Sequence, residues 1–253
     1  MSERDASLAT PGDIAAAVAL LTRLPTPPAS RDGAQTAWAW PVVGAIVGTL
    51  ALCVALLADA FGLPPFVAAG LALAVLVLAT GALHEDGLAD SADGLWGGGD
   101  PERRLKIMKD SRIGSYGVIA LILSLGLRWF ALAELIAAGL WHAAAIIPAA
   151  MASRTAMAGV MAYLPPAREE GMSFLTGRPG KRTVLLGAAI ALVTGIAFLR
   201  LSEVLLAAVA VCAVAFGIAE LARRKLNGQT GDILGATQQT TEIVVLMTAL
   251  AIA

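Results

Sequence analysis

The chain has 253 residues, of which 58% are hydrophobic and only 15% charged, and its mean hydropathy of +0.77 excludes an ordinary soluble domain. A formal net charge of -1 and a pI near 6.1 give no sign of nucleic-acid binding, which needs a marked positive excess. The two cysteines, Cys53 and Cys212, lie in apolar stretches without a Cys-x-x-Cys or Cys/His cluster, so no disulfide framework or zinc site is indicated and both are expected to serve as packing residues.

In chain order, the start Met-Ser-Glu-Arg-Asp and a first apolar run broken by Arg23 and Pro25 do not resemble a cleavable signal peptide. That start is expected in the cytoplasm. The short run from Ile14 to Leu24, ended by Pro25, Pro27 and Pro28, reads as an interfacial helix. Apolar runs long enough to cross about 30 Å of hydrocarbon follow at 37–59, 66–83, 117–137, 142–164, 183–200, 203–220 and 232–253. These predict an all-α, polytopic transmembrane bundle of about seven spans. Lys and Arg concentrate in segments 84–116, 165–182 and 221–231, while the intervening connections contribute only Arg200. With seven spans the three basic segments share one side, and the positive-inside rule places them, with the N-terminus, in the cytoplasm and the C-terminus outside. No internal repeat is visible, so residues 1–253 read as one integral membrane domain.

The most informative stretch follows the second span: His84-Glu85-Asp86-Gly-Leu-Ala-Asp90-Ser-Ala-Asp93-Gly94. On a continuous helix Asp90 lies about 40° from Asp86 and Asp93 about 20° to its other side. Three carboxylates on one face repel one another unless a cation compensates them, and hard oxygen ligands point to Mg²⁺ or Mn²⁺ bridging to substrate phosphates. Asp86, Asp90 and Asp93 are therefore the candidate metal ligands. Glu85 points about 100° away from Asp86, and Gly87 is a place where the backbone could depart from the ideal. The bland reading of the stretch is a solvated acidic loop.

Basic residues come next: Arg103, Arg104, Lys106, Lys109 and Arg112, with Ser111 and Gly114 among them. Cations beside an acidic metal cluster are what a diphosphate calls for, although Arg103, Arg104 and Lys106 serve equally as positive-inside anchors. Arg154 lies within the fourth span, where a charge needs a cavity or a partner, and a carboxylate or phosphate is the natural one. Arg128 in the third span pairs with some other buried group and is given no role. Thr230, Asp232, Gln238, Gln239 and Glu242 follow at the last span. Asp232 and Glu242 are about 15 Å apart in height, too far for one site to use both directly, and interhelical hydrogen bonding accounts equally well for Gln238, Gln239 and Glu242.

His84 to Gly94, Met108-Lys-Asp-Ser-Arg-Ile-Gly-Ser-Tyr-Gly117 and Thr230-Gly-Asp-Ile-Leu-Gly235, together with Arg23-Leu-Pro25 and Trp40-Pro-Val-Val-Gly44, resemble the signature segments of the cobalamin synthase (adenosylcobinamide-GDP ribazoletransferase) family. The resemblance runs in order through nearly the whole chain. It implies Mg²⁺-dependent transfer of adenosylcobinamide phosphate from adenosylcobinamide-GDP to α-ribazole or its 5′-phosphate, with GMP leaving, at the bacterial cytoplasmic (inner) membrane. On that reading Asp86, Asp90 and Asp93 hold the metal. Lys109 and Arg112, with Arg154, offset charge as the bond breaks. Arg103, Arg104, Ser111 and Thr230 contact substrate, and Glu85 or Asp232 positions or deprotonates the nucleophile. Membrane lipid is an expected partner; a homo-oligomer or docking of other cobalamin-pathway enzymes stays open. Two rivals stand beside this reading. A CDP-alcohol phosphotransferase shares the opening Asp90-Ser-Ala-Asp93-Gly94 but expects an Ala-Arg pair and later aspartates that are absent. A cation-coupled transporter would place its site between repeated halves.

Overall fold

Where the apolar runs stop, glycine and proline set the breaks. The computed structural model describes residues 8–27 and 33–252, and the described residues form helices and no named strand, with one isolated bridge between Pro166 and Gln229. The helices are α1 (Gly12–Leu21), a 3-10 turn (Gly33–Ala39), α2 (Trp40–Ala60), α3 (Pro65–Thr80), α4 (Leu83–Gly97), α5 (Pro101–Ile107) and α6 (Ser115–Ala137). They continue as α7 (Leu140–Ala143), α8 (Ile146–Tyr163), α9 (Met172–Thr176), α10 (Lys181–Phe198), α11 (Leu201–Leu226) and α12 (Gly231–Ile252). The expected cytoplasmic start at Met1, and Pro28 and Ala253, lie outside the described residues.

Helices stand at all seven positions expected for spans. Among the described residues five are long and apolar enough to cross a membrane, and a sixth counts only if the bent pair α3–α4 is one span. The remaining helix, α12, has the length, but its N-terminal part carries Asp232, Gln238, Gln239 and Glu242, which keeps it from reading as an apolar span. Those polar groups point inward: Thr237, Gln238, Gln239, Thr241 and Glu242 are all buried. The polar part of α12 is thus lined by the bundle rather than by lipid, the arrangement a bilayer demands.

The segment expected to be interfacial forms α1, which at 10 residues is too short to span. It is tied to the bundle by Asp13, which accepts hydrogen bonds from the Thr10 backbone N–H at 2.9 Å and from Trp38 Nε1 at 2.8 Å. Close packing of α2 on α8 depends on Gly44 and Gly48: a Cβ on Gly44 would fall 2.3 Å from the Ala150 carbonyl oxygen, and one on Gly48 3.0 Å from the Ile147 Cα. Small residues four apart let membrane helices approach this closely.

Two expectations need correction. Cys53 and Cys212 are exposed rather than packed in the core, as residues on the outer faces of apolar helices. The acidic stretch is not a straight continuation of the second span, because α3 and α4 meet at 85°. The break has a local cause. Gly81 (φ +64°) and Ala82 (φ +57°) are both left-handed, and the Ala82 and Gly81 N–H groups return to the Val77 and Leu78 carbonyls at 2.9 and 3.1 Å, a Schellman stop. Arg23 fills the space where a Gly81 side chain would stand, with Nε 2.6 Å from the ideal Cβ position.

Candidate active site

The bend turns α4 across α12 and α6, so that its two faces serve different purposes. One face carries Asp86, Asp90 and Asp93, as helical spacing predicts. Asp86 is exposed, Asp90 half-buried and Asp93 buried. Asp90 feels the repulsion of Asp86, Asp232 and Asp93, partly offset by Arg168. The fourth carboxylate, Asp232, arrives from the first turn of α12 because that helix begins here. Thr230 Oγ1 accepts from the Ile233 N–H at 3.3 Å and donates to Asp232 Oδ2 at 3.1 Å. Thr230 is fully buried and acts here as the cap of α12.

Asp93 has further partners. Its carboxylate accepts the backbone N–H of Gly114 at 2.7 Å and of Gly117 at 2.9 Å, capping α6 from another helix. The sequence does not show this, because the capping residue lies 21 positions before the first N–H it accepts from. A Cβ at Gly114 or Gly117 would fall 2.5 Å from an Asp93 oxygen, which explains why both positions are glycine. Among the described residues no three His, Cys, Asp or Glu side chains are gathered tightly enough to hold a metal ion by themselves.

Arg168 has no assignment from the sequence beyond its place in the basic segment 165–182. Its Nη2 lies 3.3 Å from Asp232 Oδ2, and its Nη1 is buried without a partner. The loop is brought there by Pro166, which bridges to Gln229: the Gln229 N–H donates to the Pro165 carbonyl and the Ala167 N–H to the Gln229 carbonyl, each at 2.8 Å. Gly228 is required beneath this crossing, since its Cβ would meet the Pro165 carbonyl oxygen at 2.5 Å. The signal in the sequence was Pro165-Pro166 facing Asn227-Gly228, two turn formers that nothing local would pair.

The side chains of the basic segment pair elsewhere than with the acidic face. Lys109 pairs with Glu170. Arg112 makes a two-pronged contact with Asp110, Nη2 to Oδ2 at 2.6 Å and Nε to Oδ1 at 3.0 Å. That contact holds the Asp110 carboxyl down at about 2, with the Arg112 hydrogen bonds as the chief cause. The Arg103 N–H caps α5 on Asp100 at 2.9 Å, leaving its guanidinium exposed. Arg104 reaches the Lys225 carbonyl at 3.3 Å, and Ser111 is exposed.

The opposite face of α4 enters a buried ionic network. Glu85 accepts from Arg128 Nη2 at 2.8 Å and from Gln239 Nε2 at 3.0 Å. Arg128 also donates to Glu242 at 3.0 Å, and Arg154 stands 3.8 Å from the other Glu242 oxygen while donating to the Ala150 carbonyl at 2.9 Å. Two arginines and two glutamates thus compensate one another inside the bundle. Arg128 and Arg154 are only 1% and 2% exposed. Arg154 therefore sits within the helices, apart from the open acidic face, and Glu85 is turned away from Asp86 as the helical spacing requires. Arg128, for which the sequence offered no role, is the centre of this network.

Residues 13–250 match the cobalamin-5-phosphate synthase family. A Bradyrhizobium diazoefficiens protein named adenosylcobinamide-GDP ribazoletransferase is 45% identical over 244 residues, covering 94% of this chain and 93% of its own. Proteins of the same name from Azorhizobium caulinodans and Rhizobium etli are 42% and 46% identical, over 93% and 92% of this chain and 94% of each of theirs. No solved structure matches the chain. The chain belongs to the cobalamin-5-phosphate synthase family of membrane transferases.

Proposed function

We propose that this protein transfers the adenosylcobinamide-phosphate group of adenosylcobinamide-GDP to a ribose hydroxyl of α-ribazole or of α-ribazole 5′-phosphate, whose 5′ oxygen is already esterified so that the 2′ or 3′ hydroxyl must be the nucleophile, releasing GMP. The site would face the cytoplasm at the bacterial inner membrane, where the basic loops gather. The observation that carries the reading is that α12 brings Asp232, with Arg168 3.3 Å from it, against the helix that carries Asp86 and Asp90, where Gly87 meets the Asp232 backbone.

The donor set suits Mg²⁺ or Mn²⁺. Such an ion is commonly held by one or two carboxylates and completes its shell with substrate phosphate oxygens and water, so an open set of oxygens fits it where a closed cage would not. Asp86 and Asp90 would hold the ion, with Asp232 beside them and Asp93 holding α6 in place. When bound it supplies positive charge to the diphosphate.

The remaining work falls to the chain. Arg168 Nη1, buried and unpartnered, is a donor for a phosphoryl oxygen. Lys109 and Arg112 can exchange Glu170 and Asp110 for phosphate, and Arg103, Arg104 and Ser111 lie along the same segment. Asp232 takes the ribazole hydroxyl proton as that oxygen bonds to the phosphorus retained by cobinamide, and the bond from that phosphorus to the GMP oxygen breaks, its electron pair leaving with GMP. Asp232 suits this role better than Glu85, which is buried in the ionic network turned away from Asp86, whereas Asp232 is partly exposed beside the acidic face and only its Oδ2 is held, by Arg168 and Thr230.

The test is GMP release by the purified protein in liposomes given adenosylcobinamide-GDP and α-ribazole, with and without Mg²⁺. Release should depend on Mg²⁺ and fall by on the order of 10²-fold or more in Asp90→Asn. No release by folded wild type overturns the reaction, and a normal rate with intact Mg²⁺ dependence in Asp90→Asn overturns the metal assignment.

A further inference from the structure

Away from the acidic site, α8, α10 and α11 enclose a groove of about 620 Å³, within the range of ~300–1,000 Å³ found for small-molecule sites. Small residues make the space, among them Ala156, Gly159, Ala188, Ala191, Gly195 and Ala215. Elsewhere in the bundle glycine serves close helix contact, as at Gly44. Gly159 does not: a Cβ there would meet nothing within 4 Å. A glycine inside a helix costs about 1 kcal/mol relative to alanine, and here that cost leaves a groove open rather than bringing two helices together.

One end of the groove is basic. Lys181 is exposed and precedes the groove-lining Val184 by three residues, hence on the same face of α10. Arg223 follows the groove-lining Ala219 by four residues on α11. Tyr163, also in the lining, is within electrostatic reach of Arg223, and its ring lies 6.4 Å from that of Phe216. Glu220 is shared by Arg223 and Arg224 at 2.7 Å each, so one carboxylate faces two guanidiniums and the rim keeps an excess of positive charge. At the far end, beside the lining residues Leu199 and Val204, Arg200 is offset by Glu203 at 3.9 Å, so that rim carries no comparable excess.

An apolar trough ending in cations and a tyrosine is complementary to an anionic amphiphile. We propose that the groove holds an acyl chain of an anionic glycerophospholipid, with its phosphate between Lys181 and Arg223. Such a lipid would also brace the chain toward the acidic site, because Tyr163 begins the segment that carries Arg168. Arg178 already secures that start by donating to the Ala162 and Tyr163 carbonyls at 2.7 and 3.3 Å.

The test is native mass spectrometry of the full-length protein in mild detergent after exposure to equal amounts of phosphatidylglycerol and phosphatidylcholine. Wild type should retain phosphatidylglycerol in preference by about fivefold or more, the factor expected for one basic side chain at an anionic surface. The double variant Lys181→Gln/Arg223→Gln should lose the preference, and Gly159→Leu should lower retention of both lipids by filling the groove. Equal retention of the two lipids by wild type overturns the proposal. So does an unchanged preference in the double variant, which decides the matter by itself should Gly159→Leu fail to fold.

Discussion

Gly87 of α4 and Gly235 of α12 meet backbone to backbone: a Cβ on Gly87 would lie 3.2 Å from the Gly235 Cα, and one on Gly235 3.1 Å from the Gly87 Cα. The contact sets how closely the helix bearing Asp86 and Asp90 approaches the one bearing Asp232. Neither partner is a flexible side chain end, so an added methyl must push the helices apart. Gly87→Ala and Gly235→Ala are each expected to cost about 1–3 kcal/mol of stability and to reduce GMP release more than the stability loss explains, because the carboxylates separate. Thermal unfolding in detergent, measured alongside turnover well below the melting temperature, checks this; full activity in either variant would show that the spacing is not set here.

Gly87 also shows where the sequence was legible and where it was not. The apolar runs placed helices at every expected span, because hydropathy is a property of each segment alone. Helical spacing correctly gathered Asp86, Asp90 and Asp93 on one face and turned Glu85 from it. It could not reveal that the helix breaks at Gly81 rather than adjusting at Gly87, since both are glycines and only the neighbours, Arg23 at one and Asp232 with Gly235 at the other, distinguish a bend from a close contact. Arg168 and the α6 cap by Asp93 were hidden for the same reason: each acts on a residue distant in the chain.

Asp93 separates two roles for a carboxylate. As a metal ligand its loss would change the Mg²⁺ concentration needed for turnover; as the cap of α6 it would change stability. With both oxygens on the Gly114 and Gly117 N–H groups, Asp93→Asn is expected to lose about 0.5–2 kcal/mol and to leave the half-saturating Mg²⁺ concentration within about twofold of wild type, whereas Asp90→Asn shifts it. A Mg²⁺ titration of activity for both variants distinguishes them, and a large shift in Asp93→Asn would return Asp93 to the metal.

Removing Arg128 leaves Glu85 and Glu242 facing each other inside the bundle with only Arg154 nearby, 3.8 Å from Glu242. Breaking a buried ion pair by deleting one partner typically costs about 3–5 kcal/mol, so Arg128→Met should fold poorly. Replacing one carboxylate as well, in Arg128→Met/Glu85→Gln, restores the charge balance by leaving Arg154 with Glu242 and should recover a large part of the yield of monodisperse protein. Arg128→Met with wild-type stability would mean that the network is not a structural one.

Arg112 is held by Asp110 on the exposed loop before α6. Because the Asp110 carboxyl is depressed to about 2 by the Arg112 hydrogen bonds, the pair is fully formed above the ordinary carboxylate range and is lost only as pH falls through about 2. Activity between pH 5 and 9 should therefore carry no inflection from Asp110, and acid within that range cannot release Arg112. Substitution can: Asp110→Asn frees the guanidinium from its anionic partner. If Arg112 serves the diphosphate, that variant should bind adenosylcobinamide-GDP up to several-fold more tightly, read as a lower KM with little change in kcat. A KM that rises instead would mean that the Asp110 contact orients Arg112 toward the substrate rather than competing with it.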